Sequence, residues 1–293
     1  MGPVGVIGVG NMGLALAQNL LDKNFSVHVR DVIAAREQVA RQAGAQVHAS
    51  PAALAAECEI IIVCVVDALQ TEEVLFGGEG VIAAVRKPAA VMLCPTIAPA
   101  DTERFATQLA VHGMACMDAP MSGGPIRARE GSMSLMVACD DATYARYEPL
   151  LNAMSSRLFR IGTRIGDGAR TKLVNNLLAT INLAGAAECL ALAQRLGLDA
   201  NTTQRVIDQS SGQSWIGSDR MHRALRSDAT ALAHMSLLAK DSALALQAAA
   251  AAQTSPPELG RVAAHLFAQA CKDGLTAEDD SALLRWLSAQ KES

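Results

Sequence analysis

Residues 4–13 read VGVIGVGNMG, an apolar run that passes directly into three glycines spaced G-x-G-x-x-G: Gly8, Gly10 and Gly13. That spacing suits the joint between a buried strand and a helix. The first glycine permits the tight turn, the second lets the backbone approach a ligand, and the third lets helix and strand pack closely. Leu14, Ala17, Leu20 and Leu21 follow at helical spacing. A helix starting there points unpaired N–H groups at the turn, which suits a pyrophosphate. Gly8, Gly10, Asn11, Met12 and Gly13 are therefore the expected cofactor-binding loop. Asp31 lies 18 residues beyond Gly13, at the end of the next apolar run, SVHVR. Its carboxylate suits the ribose hydroxyls of adenosine and repels a 2′-phosphate, so NAD is favoured over NADP. Arg30 and Arg36 could pair with a phosphate, but strand alternation turns Arg30 away from Asp31.

Short β-branched runs alternate with helical patterns up to about residue 160, as in a parallel sheet with crossover helices. VGVIGV, SVHVR, EIIIVCVV, AVMLC, GMACMDA, SLMVAC and RLFRIG read as strands, and residues 12–23, 34–43, 99–112 and 141–154 as helices. Beyond IGTRIGDGAR the β runs vanish. The expected architecture is an α/β Rossmann-type domain over residues 1–162 with a mostly parallel sheet. An all-α domain over 163–293 follows, joined through a long helix at about 172–195 that should be buried on nearly every side. Ser255, Pro256 and Pro257 should break the alanine-rich helix before them.

The balance of 25 basic and 29 acidic residues gives a formal charge of −4, which supplies no field for collecting a nucleic acid. The longest bulky apolar run, residues 60–66, is about a third of the ~20 residues that span a bilayer. The more apolar middle of the long helix is interrupted by Asn182 and Glu188, so no membrane span is expected. The N-terminus reads as a strand rather than a signal peptide, which points to the cytoplasm. Seven cysteines without a C-x-x-C motif, most of them inside apolar segments, read as small hydrophobes. Six scattered histidines show no ligand spacing, so no metal centre is expected.

Three later segments carry chemistry. DAPMSGG, residues 118–124, ends a strand with a hydroxyl and two glycines whose N–H groups can hold a carboxylate. GDGARTKLVNN, residues 166–176, places Lys172 and Asn176 one helical turn apart. Lys240 and Asp241 fall in a later helical stretch, where such a pair is most often a solvated face. An ammonium can exchange the proton of a carbinol while hydride moves to or from a nicotinamide, and a neighbouring amide can orient the hydroxyl.

With GVGNMG, DAPMSGG, GDGARTKLVNN and KDSALAL in that order, the whole chain resembles the β-hydroxyacid dehydrogenase family. The resemblance implies an active site in the cleft between the two domains. By it, Lys172 is the general acid/base, Asn176 positions the substrate hydroxyl, and Ser122, Gly123 and Gly124 bind the substrate carboxylate. Thr96 and Lys240 would contact the cofactor near the nicotinamide. Val32, where NADP-using members tend to carry Arg, again favours NAD. Pro95 replaces the family's usual Ser and removes a backbone donor beside Thr96, and Met121 replaces the usual Val.

VVDALQTEEVLFGGEGV, GQSWIGSDR and AEDDSALLRWL look most like the L-threonate dehydrogenase branch. The reading is NAD-dependent oxidation of a short-chain 3-hydroxy acid resembling L-threonate. Ser214 and Trp215 either lie on a loop of the helical domain facing the cleft, where they could set substrate size, or Trp215 packs at a helix start. A tartronate or succinic semialdehyde reductase using NAD(P)H is the first alternative, and a noncatalytic dinucleotide-binding module the second. An imine reductase shares the architecture but generally lacks the lysine at position 172. The apolar helices of the second domain suggest a homodimer or homotetramer.

Overall fold

A computed structural model describes residues 1–226, 228, 230–255 and 257–290. The chain divides into two compact units, Met1–Lys172 and Leu173–Ser293.

The first unit is a nine-stranded sheet flanked by helices. Its strands are β1 (Val4–Ile7), β2 (Val27–Arg30), β3 (Gln46–Val47), β4 (Ile60–Val63) and β5 (Ala90–Leu93). β6 (Ala115–Asp118), β7 (Met121–Ser122), β8 (Ser134–Ala138) and β9 (Arg157–Gly162) complete it. The order is β3-β2-β1-β4-β5-β6-β8-β7, with β9 also on β8. β1 to β6 are mutually parallel, and β8 runs antiparallel to β6 and β7. The chain moves outward through β2 and β3, then returns past β1 to β4, so the switch in strand order lies between β1 and β4, where open α/β sheets hold ligands.

β1, β4 and β5 are buried on both faces, which their unbroken apolar composition requires. Side chains alternate between two cores. Val4, Val6, Ile60, Ile62 and Met92 pack on one face with Leu16 and Leu20 of α1 (Asn11–Asp22). Ile7, Ile61, Val63, Val91 and Leu93 pack on the other with Leu54, Leu75 and Phe105. α2 (Ala34–Gln42) follows β2, and α3 (Pro51–Glu57), α4 (Ala68–Phe76) and α5 (Pro99–Val111) follow β3, β4 and β5. α6 (Gly124–Glu130) and α7 (Asp141–Met154) complete the unit.

The long helix α8 (Asp167–Arg195) starts five residues before the periodicity predicts, because its first turn is anchored by a residue far away in sequence. It is not buried on nearly every side: Val174, Leu178 and Leu192 are exposed. By length and composition it could cross a bilayer, yet Leu183, Ala187 and Leu190 lie in the core of the helical unit. That core also takes residues from α10 (Trp215–Leu225), α11 (Met235–Ala251), α12 (Glu258–Ala270) and α13 (Leu283–Ala289); α9 (Ala200–Asp208) precedes them. The break between α11 and α12 falls where Ser255 and Pro257 stand, and Pro256 lies outside the described residues.

Candidate active site

The glycine loop is built as its spacing demands. A methyl group on Gly13 would lie 1.9 Å from the Gly8 carbonyl oxygen, so no other residue fits there. Gly10 is the N-cap of α1 and no side chain caps it, which leaves the first-turn amides for an anion. Asn11 is exposed, whereas Met12 packs its side chain against the core and offers the ligand only its backbone. The Arg36 guanidinium lies beside Gly10, 3.5 Å from where a Cβ would stand, and makes no hydrogen bond or ion pair among the described residues.

Asp31 is buried at the carboxyl end of β2. Its Oδ2 accepts from Val9 N at 2.7 Å and its Oδ1 from Ile33 N at 2.8 Å. One carboxylate thereby fixes the glycine loop to the turn after β2, and each oxygen keeps a lone pair for a further donor. Arg30 is engaged with Glu37 at 2.8 Å and donates to the Asp31 carbonyl. Val32 is 91% exposed at the same edge.

Parallel pairing brings the ends of β1, β2, β4, β5 and β6 out along one edge. Thr96 is half-buried on the loop after β5. Ser122 ends β7, and Gly123 and Gly124 follow with φ of +129° and +75°, conformations that L side chains rarely adopt. They lead directly into α6, so this turn joins a hydroxyl to a helix start.

Asp118, at the end of β6, anchors the helix that carries Lys172. It is 2% exposed, and its Oδ2 accepts from Gly166 N at 2.9 Å and Ala169 N at 3.0 Å. Burial pushes its pKa up to about 6, against the opposing pull of the helix-start amides. Lys172 lies in the second turn and is 7% exposed. Sequence reasoning assigned Asp118 no role, since nothing in DAPMSGG shows that its acid reaches residue 166.

In the helical unit, Asn176 is also 7% exposed and donates from Nδ2 to Asp241 Oδ2 at 2.6 Å. Its Oδ1 accepts from Asn175 at 3.0 Å. A carboxylate only accepts, so Asp241 fixes which end of the amide is NH2 and leaves its second hydrogen for another acceptor. Lys240 Nζ lies 2.8 Å from Asp241 Oδ1. The Lys240–Asp241 pair is thus no solvated face: Asp241 is 5% exposed and holds both neighbours. Periodicity could not show this, because only the fold brings α11 beside Asn176.

Ser214 and Trp215 do not lie on a loop. Ser214 caps α10, accepting from Gly217 N at 3.1 Å, and Trp215 is the first helical residue, 46% exposed. Trp215 lines an open pocket of about 420 Å³ with Gln213, Ser218 and His222.

Residues 3–162 match the NAD-binding domain of 6-phosphogluconate dehydrogenase, and residues 166–287 match the NAD-binding domain of NADP-dependent 3-hydroxyisobutyrate dehydrogenase. The L-threonate dehydrogenase of Cupriavidus necator is 36% identical over 282 residues, covering 96% of this chain and 95% of that one. The human mitochondrial 3-hydroxyisobutyrate dehydrogenase is 31% identical, covering 99% of this chain and 88% of that one. A solved 3-hydroxyisobutyrate dehydrogenase from Salmonella typhimurium superposes with a TM-score of 0.91 at 32% identity, over 98% of this chain and 100% of that one. An imine reductase from Myxococcus stipitatus, at 19% identity and a TM-score of 0.68 over 97% of this chain and 99% of that one, shares the fold alone. With both family models and full-length relatives in agreement, this chain belongs to the β-hydroxyacid dehydrogenase family, near its L-threonate dehydrogenase branch, and is an NAD(P)-dependent hydroxyacid oxidoreductase.

Proposed function

We propose that the protein oxidises a short-chain 3-hydroxy acid resembling L-threonate with NAD+, using Lys172 as the general acid/base. The observation that carries this reading is the buried Lys172 on a helix whose first turn is tied down by Asp118. The uncapped start of α1, the close Gly8–Gly13 packing and the unpaired Arg36 fit a dinucleotide. NAD+, when bound, supplies the hydride acceptor. Lys172, as the neutral amine, takes the carbinol proton; Asn176 donates its remaining N–H to the same oxygen. Ser122, Gly123 and Gly124 receive the substrate carboxylate, and Thr96 and Lys240 contact the cofactor. Trp215 bounds the substrate.

Asp31 and the exposed Val32 support NAD over NADP: a buried acid at the ribose end repels a 2′-phosphate, and Val32 offers it no partner. NADP is the second reading, favoured by Arg36 beside Gly10 and by the match of residues 166–287 to an NADP-dependent enzyme. Exposed Val174, Leu178, Leu259 and Val262 on α8 and α12 support a homodimer or homotetramer, and the cytoplasm is kept as the location expected from the sequence. The domain division proposed from sequence, 1–162 and 163–293, stands beside a structural division within α8.

The test is initial rates of NAD+ and NADP+ reduction on C3 to C6 hydroxy acids, L-threonate, D-glycerate and 3-hydroxyisobutyrate among them, with wild type and Lys172→Ala. Turnover on a four-carbon acid with NAD+, reduced ~10²-fold or more in the variant while NAD binding persists, is expected from general acid–base catalysis. Wild-type turnover in Lys172→Ala refutes the mechanism. Silence with every acid, together with NADPH-dependent aldehyde reduction, would favour a semialdehyde reductase.

A further inference from the structure

The nucleotide-binding unit carries a second cluster of ligating side chains away from its glycine loop. Along β2, Val27 and Val29 enter the core shared with α1, so strand alternation turns His28 to the opposite face. His28 pairs in register with Gly5 of β1 and Gln46 of β3. His48 follows β3, its backbone N–H donating to Val29 O at 3.1 Å, and its Nε2 lies 2.9 Å from His28 Nδ1. The two rings stack with centroids 4.9 Å apart. Glu57, the last residue of α3, brings its carboxylate to the same point. One ligand atom from each of the three residues lies within 4.8 Å of the other two.

The chemistry of this trio is specific. Two imidazoles and a carboxylate form the donor set of open three-ligand zinc sites, and nitrogen donors favour zinc, nickel or copper over magnesium and calcium. His28 is 4% exposed, and burial, then the neighbouring His48, hold its pKa below the usual imidazole value, so it is neutral and able to ligate. From the juxtaposition of His28, His48 and Glu57 we infer a binding site for a divalent transition metal, with zinc the best match. Nitrogens on one tetrahedral ion stand ~3.4 Å apart, so the observed 2.9 Å must open by about half an ångström. His48 is half-buried on a connecting segment and Glu57 is exposed at a helix end, so both can supply that movement.

Water completes the coordination. The proton now held between the two ring nitrogens moves through solvent to the far nitrogen of its own ring, so each imidazole stays neutral. The ion ties β2, the segment after β3 and α3 together at the sheet edge. His28 lies three residues, ~10 Å along the strand, before Asp31, so the ion acts as a staple for the nucleotide-binding unit and takes no part in hydride transfer.

Tag-free, full-length protein, freed of metal with EDTA and dialysed, is titrated with ZnCl2 by calorimetry and with CoCl2 by visible absorption. One equivalent of Zn2+ per chain is expected, binding at about micromolar Kd at neutral pH. Saturating Zn2+ should also raise the Tm. His48→Gln and Glu57→Gln should each weaken Zn2+ binding by ~10-fold or more and leave metal-free NAD+ binding at the wild-type level. Absence of a stoichiometric event overturns the site. So does Zn2+ binding that persists unchanged in both variants, as adventitious binding to cysteines would.

Discussion

Asp118 gives the sharpest test of how the helix that carries Lys172 is held. Its carboxylate is buried against the amides of Gly166 and Ala169, and burial outweighs those donors, raising its pKa from 3.8 to about 6. Between those values the folded chain binds more protons at this group than the unfolded chain. Stability from Asp118 is therefore full below the unfolded pKa and lost as pH rises through about 6. A shift of about two units corresponds to ~3 kcal/mol at neutral pH. Asp118→Asn keeps an acceptor oxygen for both amides and has no charge to desolvate. Asp118→Ala leaves two buried donors unmet, at ~1–3 kcal/mol each. Urea unfolding of both variants and wild type, at about pH 5 and pH 8, isolates the group from other titrating carboxylates. With an m value of about 3 kcal/mol/M, the Asn variant should gain up to ~1 M in midpoint over wild type at pH 8 and about half of that at pH 5, where the linked loss is only partly complete. The Ala variant should lose ground at both. An Asn variant as unstable as the Ala variant at pH 8 would show that the charge itself holds the helix start, and the reasoning from burial would fail.

Asp241→Ala releases the amide of Asn176 and the ammonium of Lys240 together; kcat should fall about 10- to 100-fold, on the scale of removing an orienting group. Circular dichroism checks that the helices persist, and unchanged kcat would refute the positioning role. Gly13→Ala forces a carbon to within 1.9 Å of the Gly8 carbonyl, so dinucleotide affinity measured by fluorescence quenching should drop ~10-fold or more. Val32→Arg places a guanidinium at an exposed site beside the ribose end, and kcat/KM for NADP+ should rise ~10-fold at the expense of NAD+ selectivity. An unchanged cofactor ratio would remove Val32 from the discrimination.

The parallel sheet was legible because its strands are buried on both faces, and Val4, Ile60 and Ala90 begin apolar runs that no surface element would carry. The helices at 34–42, 99–111 and 141–154 coincide closely with the periodic segments. The short α3, α4 and α6 were not legible: the seven residues of α3 and α6 hold too few turns for a period to show, and α6 begins with a glycine and a proline. The predicted strands overran into loops at Val9, Cys64 and Cys94, where apolar composition continues past the last ladder pair.

The long-range contacts that sequence did not show share one cause. GVGNMG announces its own geometry, because strand, turn and helix start are contiguous and each glycine acts on neighbours within a few residues. Asp118, Asp241 and His48 act on partners 48, 65 and 20 residues away, and the residue types carry no mark of the partner. Taken alone, an aspartate at a strand end, a Lys-Asp dipeptide on a helix and a histidine in a short edge connection say nothing of what they touch. Asp118, Asp241 and His28 are buried, and each needs a specific donor, acceptor or ion, because an unmatched polar group would cost the fold more than a lost surface contact. The buried polar side chains of this chain therefore mark the helix anchor at Asp118, the amide clamp at Asp241 and the proposed metal staple at His28.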